Sequence, residues 1–194
     1  HISGANLAKS LRAHVEEYKG DILTILETEV TKVSGSDGDF TVTTAKGEQK
    51  SKTVLISSGS SRRRLEVPGA DVLEHKGLTY CASCDGPLFG GMDVVVVGGG
   101  NAGFESAAQL LAYCKSVTLL SRSAPRADAI TVEKIKQNAH FTLIENAIPT
   151  KVEGSVFVES ITYKDDSGSE ATLPVSAVFV EIGQIPNTDI VKGF

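Results

Sequence analysis

A glycine-rich turn that follows a run of four valines constrains the fold more than any other stretch of this sequence. Val94–Val97 is a continuous β-branched run, which is typical of a parallel strand buried on both faces. Gly98–Gly103 (GGGNAG) follows directly and fits G-x-G-x-x-G, and helical spacing begins at about residue 102. A strand, a glycine turn and a helix in this order predict one unit of a Rossmann-like sheet.

The glycines of this turn have separate physical reasons. Gly98 permits the tight turn, Gly100 lets the backbone approach a pyrophosphate, and Gly103 lets the helix pack on the strand. The helix N-terminus, at Asn101 and Ala102, offers free N–H groups and a partial positive charge to phosphates. A glycine turn without a ligand is the alternative, but the succession of strand, helix and second strand favours a dinucleotide-binding loop.

The second half of the chain continues the alternation of strands and helices. Three further buried strands and one helix are predicted: Val117–Leu120, Phe141–Ile144, Val175–Ile182 and the helix Val132–Asn138. A small meander precedes the last strand, with runs at Thr150–Val152, Val156–Tyr163 and Ala171–Leu173. This order predicts an α/β fold, namely a Rossmann-like NAD(P)-binding domain in which a sheet forms the middle of three layers.

The first half predicts a helix and then short strands. Four apolar residues recur at helical spacing within residues 3–19: Leu7, Leu11, Val15 and Tyr18. Strand-like runs follow at Ile22–Leu26, Glu29–Val33, Phe40–Thr44 and Thr53–Ser57. The turn Ser36-Asp37-Gly38 predicts a hairpin between two of them, and a domain boundary is expected near residues 75–79.

The end of the second Rossmann strand indicates which nucleotide is preferred. Proteins that select NAD usually place Asp or Glu there, about 20 residues after the turn, to hold the ribose 2′-hydroxyl. This strand ends in Ser121 and Arg122 without an acid, and Arg126 follows. Arginines suit a 2′-phosphate, so the sequence favours NADPH, although both could be solvated surface residues.

Cys81 and Cys84 form a CxxC pair ten residues before the valine strand. A zinc site needs about four ligands, and Cys114 lies in a predicted helix, so no metal site is predicted. Two buried structural thiols fit poorly in a polar stretch, and a reversible dithiol/disulfide is the better interpretation.

Asp85 can exchange the proton of this chemistry, or else it caps the turn before Gly86. Because a nicotinamide and a disulfide each exchange two electrons, the pairing implies a flavin between them.

Composition excludes other classes of function. The formal net charge of −5 argues against a nucleic-acid partner. The longest apolar run, Leu110–Cys114, is far too short for a membrane span. Three cysteines, an odd number, do not suggest a secreted disulfide scaffold, so a cytoplasmic location is expected. The chain begins without Met, and we expect it to be an internal fragment of a longer protein.

Several motifs, taken together, resemble the low-molecular-weight thioredoxin reductase family, and are similar also to the flavoprotein component of alkyl hydroperoxide reductase. They are Tyr80–Gly86 (YCASCDG), Gly98–Ala107, Val117–Leu120 and Ile182–Asn187. The resemblance covers essentially the whole chain. It implies FAD and NADPH as cofactors, a thioredoxin-like protein as partner, and a homodimer.

The resemblance also implies a role for individual residues. Cys84 would face the flavin, Cys81 would attack the protein substrate, and Asp85 would be the acid. The motifs further assign Glu105, Ile182 and Gly183 to the nucleotide, while Ser58 and Gly59 would lie beside FAD. The nucleotide motif departs from the family, which usually has more arginines after the second strand, and so puts the NADPH preference in doubt.

Three regions follow from the resemblance. Residues 1–77 would be part of a second, FAD-type Rossmann-like domain without its glycine motif, residues 78–185 the NAD(P)H-binding domain with the CxxC pair, and residues 186–194 the return. Gly77 and Gly183, at the boundaries, would be hinges for a domain rotation. We expect the chain alone to bind FAD poorly and to be inactive.

The function predicted is a flavin-dependent thiol–disulfide oxidoreductase, which passes electrons from NADPH through FAD and the Cys81–Cys84 disulfide to a thioredoxin-like protein. One alternative is an electron donor to a peroxiredoxin, as in alkyl hydroperoxide reductase. The other is a non-catalytic nucleotide-binding redox module, which would need only the glycine turn and a reactive dithiol.

Overall fold

The computed structural model describes residues 1–20 and 22–194, which divide into two compact units. The first unit comprises His1–Ser58 and Asn187–Phe194, and the second comprises Gly59–Pro186. None of the helices in the described ranges combines the length and the apolar character needed to cross a membrane.

Among its described residues, the first unit contains one α-helix and a three-stranded antiparallel sheet. Helix α1 spans Gly4–Glu16, and the sheet has strands β1 (Val30–Ser36), β2 (Asp39–Thr44) and β3 (Gly47–Ser51) in that order, with a 3-10 helix at Asp189–Val191. Ser3 caps α1, because its hydroxyl accepts a hydrogen bond from the Asn6 backbone N–H. The predicted hairpin is confirmed: Ser36 pairs with Asp39 across the turn.

Two strands predicted in the first unit are wrong. Ile22–Leu26 and Thr53–Ser57 are not strands, and only Leu23 makes an isolated bridge, to Lys19. Ile22 and Leu55 are among the most exposed hydrophobic residues, at 86% and 94%, so these runs have no sheet face to cover them. The sequence missed β3, because its residues (GEQKS) are polar and have no apolar alternation.

The second unit contains three helices, a 3-10 turn and ten strands. The helices are α2 (Ala82–Asp85), α3 (Asn101–Leu110) and α4 (Ala129–Lys136), and the 3-10 turn is Gly86–Phe89. The strands are β4 (Ser60–Arg62), β5 (Leu78–Thr79), β6 (Asp93–Val97), β7 (Ser116–Leu120), β8 (Phe141–Ile144), β9 (Ile148–Glu153), β10 (Ser160–Lys164), β11 (Glu170–Pro174), β12 (Ala177–Val180) and β13 (Gln184–Pro186).

A five-stranded parallel sheet forms the centre of the second unit, in the order β5-β12-β6-β7-β8. Alternate residues of β6 point to opposite faces: Val94 and Val96 pack with Phe104 of α3, and Val95 packs with Ile161 of the β9-β10-β11 meander. Both faces are therefore covered, and the continuous valine run is explained. The α/β, Rossmann-like fold predicted from the sequence is confirmed, with its three layers.

The division between the units lies between Ser58 and Gly59, whereas the sequence predicted it near residue 77. Residues 59–77 belong with the second unit because β4 pairs with β13 there, and Leu73 is buried in its core. Gly77, expected as a hinge, is buried within the unit, and a side chain there would press on Val158. Its position in the packed core contradicts a hinge at that residue.

Candidate active site

The loops that carry the predicted chemistry leave the same edge of the parallel sheet. Because all five strands run in one direction, their carboxyl ends meet at one edge, where ligands bind in open α/β sheets. The glycine turn follows β6, Ser121 follows β7, Glu181 follows β12 and Cys81 lies just beyond β5. Thr79 of β5 is paired with Phe179 of β12, and Phe179 is paired with Val96 of β6. The loops that follow these three strands therefore begin at the same height along the sheet.

The glycine turn packs closely on both sides but is open where a ligand would approach. Gly98 has φ +137°, and a Cβ there would overlap the carbonyl oxygen of Glu181. A Cβ on Gly103 would overlap the Gly98 carbonyl oxygen, so α3 lies close against the turn. Gly100, by contrast, has no atom within 4 Å of a Cβ position and caps α3 without a side-chain hydrogen bond. The first N–H groups of α3 are thus available to an anion.

A cleft of about 840 Å³ lies against this turn, within the size range of ligand pockets. Its walls include nine of the residues proposed from the sequence: Gly98, Gly100, Asn101, Ala102, Ser121, Arg122, Arg126, Ile182 and Gly183. The structure therefore brings the glycine turn, the two arginines and the Ile182-Gly183 pair to one cavity. Its open backbone cradle and its arginines fit a phosphorylated dinucleotide.

Four residues proposed for cofactors are not among those that line this cleft. Gly103 is buried beneath the turn, and Glu105 is exposed on α3. Ser58 belongs to the first unit, where its hydroxyl donates to the Asn187 carbonyl oxygen at 2.6 Å. Gly59 begins the second unit with φ +67° and open space at its Cβ position.

The cleft also contains residues that sequence reasoning missed. Arg63 lines it, and its backbone N–H donates to the Gly183 carbonyl oxygen at 3.0 Å. The position of Arg63 depends on the pairing of β4 with β13, which no local sequence pattern predicts. Glu181 also lines the cleft and accepts a hydrogen bond at 2.8 Å from the Ser106 hydroxyl, a contact between distant parts of the chain.

Cys81 and Cys84 form a disulfide, with their Cα atoms 5.3 Å apart. Cys81 is half-buried as the cap of α2, and Cys84 is exposed. The Cys84 backbone N–H donates to the Cys81 sulfur at 3.2 Å. A hydrogen bond of this kind stabilises a thiolate, so after reduction it favours Cys81 as the nucleophile. Among the described residues no cluster of three potential metal ligands occurs.

Asp85 lies beside the disulfide in a defined orientation. Its Oδ2 accepts a hydrogen bond from the hydroxyl of Thr79, the buried last residue of β5, and its backbone N–H donates to the Cys81 carbonyl oxygen at 3.0 Å. Its side chain makes no capping hydrogen bond to the Gly86–Phe89 turn, which contradicts the alternative role as a cap. Nothing in the sequence pointed to Thr79, since its contact depends on the position of β5 in the fold.

Cys114 takes no part in this site. It is buried in the core between the sheet and its helices, and this burial raises the pKa of its thiol. The thiol stays protonated at neutral pH and behaves as a small apolar residue.

A Rossmann-type unit with a dinucleotide cleft and a disulfide at one edge of its sheet defines a nucleotide-linked redox protein. The chain belongs to the pyridine nucleotide-disulphide oxidoreductase family, whose model matches residues 2–193. The family resemblance inferred from the motifs is thereby confirmed.

Individual relatives agree with this assignment. The chain is 38% identical to an alkyl hydroperoxide reductase component of Xanthomonas campestris pv. phaseoli and 37% identical to a Bacillus subtilis protein named NADH dehydrogenase, over 98% of its own length in each case. It spans 37% of the length of each of these curated relatives. A solved structure of T. acidophilum thioredoxin reductase is 32% identical with a TM-score of 0.74, covering 98% of this chain and 62% of that one.

Proposed function

We propose that this chain is the disulfide-bearing part of a flavin-dependent thiol–disulfide oxidoreductase. It would pass electrons from NADPH through FAD to the Cys81–Cys84 disulfide and then to a thioredoxin-like protein. The observation that carries this proposal is the position of the disulfide and of the dinucleotide cleft at one edge of the same parallel sheet. Family membership supports the same chemistry.

Different residues of the cleft would bind different parts of the nucleotide. The backbone N–H groups at the start of α3, from Asn101 and Ala102, would bind the pyrophosphate beside the open Gly100 position. Arg122 and Arg126, both exposed in the cleft wall, would bind a 2′-phosphate. The sequence-based preference for NADPH over NADH depends on these two side chains.

The first unit would contribute to the flavin site. Ser58 would contact FAD, as would the adjoining Gly59 at the start of the second unit, whose open, positive-φ backbone is compatible with close approach of a ligand. When bound, a flavin supplies the link between two-electron hydride chemistry and a disulfide. We propose accordingly that residues 1–58 and 187–194 belong to a flavin domain, and that the complete protein is a homodimer.

Transfer to the partner protein is a thiol–disulfide exchange. The Cys81 thiolate attacks one sulfur of the partner's disulfide, which forms a mixed disulfide and releases one partner thiolate. Cys84 then attacks the Cys81 sulfur of that mixed disulfide, restores the Cys81–Cys84 bond and releases the second partner thiolate. The electron pair of the dithiol thus passes to the partner, and the two protons follow to the released thiolates.

Asp85 would handle a proton in this exchange. Its carboxylate accepts a hydrogen bond from the Thr79 hydroxyl, and Asp85 directly follows Cys84 in the sequence, so this residue would exchange protons with the thiols. Thr79 is then a positioning residue, because it acts through Asp85 rather than on a sulfur.

A half-reaction tests this proposal without any flavin. The 194-residue chain is reduced with dithiothreitol, freed of reductant and mixed with oxidised thioredoxin, and the thiols are counted by alkylation and mass spectrometry. We expect the dithiol to reduce thioredoxin, the Cys84→Ser variant to trap a mixed disulfide through Cys81, and the Cys81→Ser variant to trap none. A reduced chain that keeps its dithiol in the presence of every disulfide protein offered would overturn the proposal.

A second candidate function is donation of electrons to a peroxiredoxin. It is favoured by the relatives named as components of alkyl hydroperoxide reductase, which include Staphylococcus aureus proteins 36% identical to this chain. The same half-reaction separates the two, with an oxidised peroxiredoxin replacing thioredoxin: the partner that is reduced at least tenfold faster is the physiological class. Nucleotide binding without exchange with either partner would instead indicate a non-catalytic redox module.

A further inference from the structure

The segment between β7 and α4, residues 121–128, carries Arg122 and Arg126, two of the four arginines that line the cleft, and is attached to the glycine turn at two points. The Arg126 backbone N–H donates to the Gly99 carbonyl oxygen at 2.8 Å. The Asp128 backbone N–H donates to Oδ1 of the Asn101 side chain, also at 2.8 Å. Asp128 in turn caps α4, because its Oδ1 accepts from the Ile130 backbone N–H at 3.0 Å.

The other end of the segment is fixed by Ser121. Ser121 is buried, its hydroxyl donates to the Ser123 carbonyl oxygen at 2.6 Å, and its backbone N–H donates to the Ile144 carbonyl oxygen at 2.9 Å. A Cβ on Gly99 would overlap the Ser121 hydroxyl oxygen, so turn and segment are in close contact there. The Ser121 hydroxyl is therefore committed to local structure, although the sequence suggested it as a nucleotide contact.

The side chains of Arg122 and Arg126 make no hydrogen bond or ion pair with the described residues. The arginine ion pairs of residues 1–20 and 22–194 involve Arg12 and Arg64, and Arg122 and Arg126 are exposed. Their guanidinium groups are placed by the backbone that carries them, and that backbone is anchored at its far end by one side chain, Asn101.

We propose that the Asn101 side chain positions the groups that recognise the 2′-phosphate. It acts through the 121–128 segment and not by contact with the nucleotide, while the Asn101 backbone N–H remains available to the pyrophosphate. It is a determinant of NADPH preference over NADH that lies on α3, outside the arginine-bearing segment. The inference rests on the proposed function, because it assigns a device within the same cleft. The sequence suggested Asn101 only as a direct cofactor contact.

Loss of the Asn101 side chain should weaken binding of the 2′-phosphate and leave binding of the pyrophosphate unchanged. In an Asn101→Ala variant the Asp128 N–H loses its acceptor and turns to water, so the segment keeps only the Arg126–Gly99 attachment near its end. Ordering the arginines then costs free energy at the moment of binding, which weakens the contact with the 2′-phosphate. The pyrophosphate contacts are unaffected, because they use backbone N–H groups and alanine maintains the helix.

The test is a pair of dissociation constants, for NADPH and for NADH, measured by isothermal titration on the 194-residue chain. We expect Asn101→Ala to lower the preference for NADPH roughly three- to tenfold, the size of couplings between contacting residues, while the NADH constant changes less than about twofold. In a chain that already carries Arg122→Ala and Arg126→Ala, the same substitution should have no further effect. 2′,5′-ADP and 5′-ADP should repeat the pattern without a nicotinamide.

Asn138→Ala is the matched control. Asn138 also accepts a backbone hydrogen bond through its side-chain oxygen, from His140 N–H at 2.9 Å, but beyond the C-terminal end of α4. The preference of the Asn138→Ala variant for NADPH over NADH should equal that of the unchanged chain. Equal losses for NADPH and NADH in Asn101→Ala would show a direct contact and overturn the inference, as would an unchanged preference, while the proposed function would stand. Absence of nucleotide binding by the unchanged chain would instead defeat the proposed function itself.

Discussion

The two units of this chain use apolar residues in opposite ways. The second unit buries them in two clusters, one on each face of its parallel sheet. Among the described hydrophobic residues of the first unit only Val33 is buried, and α1 has no buried residue although Leu7 and Leu11 recur at helical spacing. The first unit thus has secondary structure with almost no core.

This difference shows that an apolar pattern at helical spacing can predict a helix correctly without predicting that the helix is buried. Helical periodicity predicted α1 correctly, because the 3.6-residue repeat needs only the helix itself. Burial needs a second element that presents a complementary face. In the second unit α3 and the meander provide such faces, and the same kind of pattern became a core.

The contrast predicts its largest effect for paired truncations in the two units. Phe104 is fully buried, so Phe104→Ala should destabilise the second unit by roughly 3–5 kcal/mol. Leu11 is 58% exposed on α1, so Leu11→Ala should change stability by less than about 0.5 kcal/mol. Urea denaturation followed by circular dichroism measures both. Similar losses for the two variants would mean that α1 is covered in solution and would remove the contrast.

Within the second unit, substitutions at Gly98 and Gly100 of the same turn should have different effects on stability and on nucleotide binding. Gly98→Ala places a Cβ against Glu181 at a positive φ and should cost roughly 1–3 kcal/mol of stability along with nucleotide binding. Gly100→Ala meets open space, so stability should be retained while NADPH affinity falls about tenfold, because the methyl group occupies the ligand's approach. Calorimetric titration and urea midpoints test this. A Gly100→Ala variant that binds NADPH normally would contradict the proposed position of the pyrophosphate.

Several strands of the parallel sheet could be predicted because runs of apolar residues mark them. Phe141–Ile144 was predicted with the bounds it has, and the valine strand with an error of one residue. The largely exposed strands β3, β4 and β13 could not be found, since pairing of exposed backbone leaves no apolar pattern.

The candidate site divides in a similar way. The glycine turn and the cysteine pair are local motifs, and each could be read from neighbouring residues. Thr79 with Asp85, and Asn101 with Asp128, are contacts that exist only after β5 and α4 have been placed. No spacing rule predicts them, because such partners are chosen by the fold rather than by the sequence around either residue.

A smaller effect is expected at Thr79, a buried residue of the second unit whose hydroxyl contacts Asp85 next to the cysteine pair. Thr79→Val keeps the shape but removes the hydroxyl that donates to Asp85, so exchange between the reduced chain and oxidised thioredoxin should slow roughly three- to tenfold. The pH profile of that rate should also change, which loss of packing alone would not produce. Thr79→Ser restores the hydroxyl and should recover most of the rate. Equal rates for Val and Ser would exclude the positioning role.

The smallest predicted effect compares one surface carboxylate from each unit. The hydrogen bond from Lys115, followed by that from Ser116, lowers the pKa of Asp93, whose side chain is 42% exposed. A folded-state pKa below the unfolded value of about 3.9 means that the ionised carboxylate stabilises the folded protein above that pH. This stabilisation is lost as the pH falls through the folded-state pKa. Because solvent screens the pair, Asp93→Asn should cost less than about 1 kcal/mol at pH 7 and nothing at pH 2.

In the first unit, the hydrogen bond from Arg12 lowers the pKa of Glu16, so the sign of the linkage is the same. Both partners are on the exposed surface of α1, which is not fixed by a core, and holding two long side chains offsets the attraction. Glu16→Gln should therefore flatten the rise of the urea midpoint between pH 2 and pH 7 less than Asp93→Asn does. A Glu16→Gln variant that flattened the profile as much would show that α1 is as firmly held as the parallel sheet.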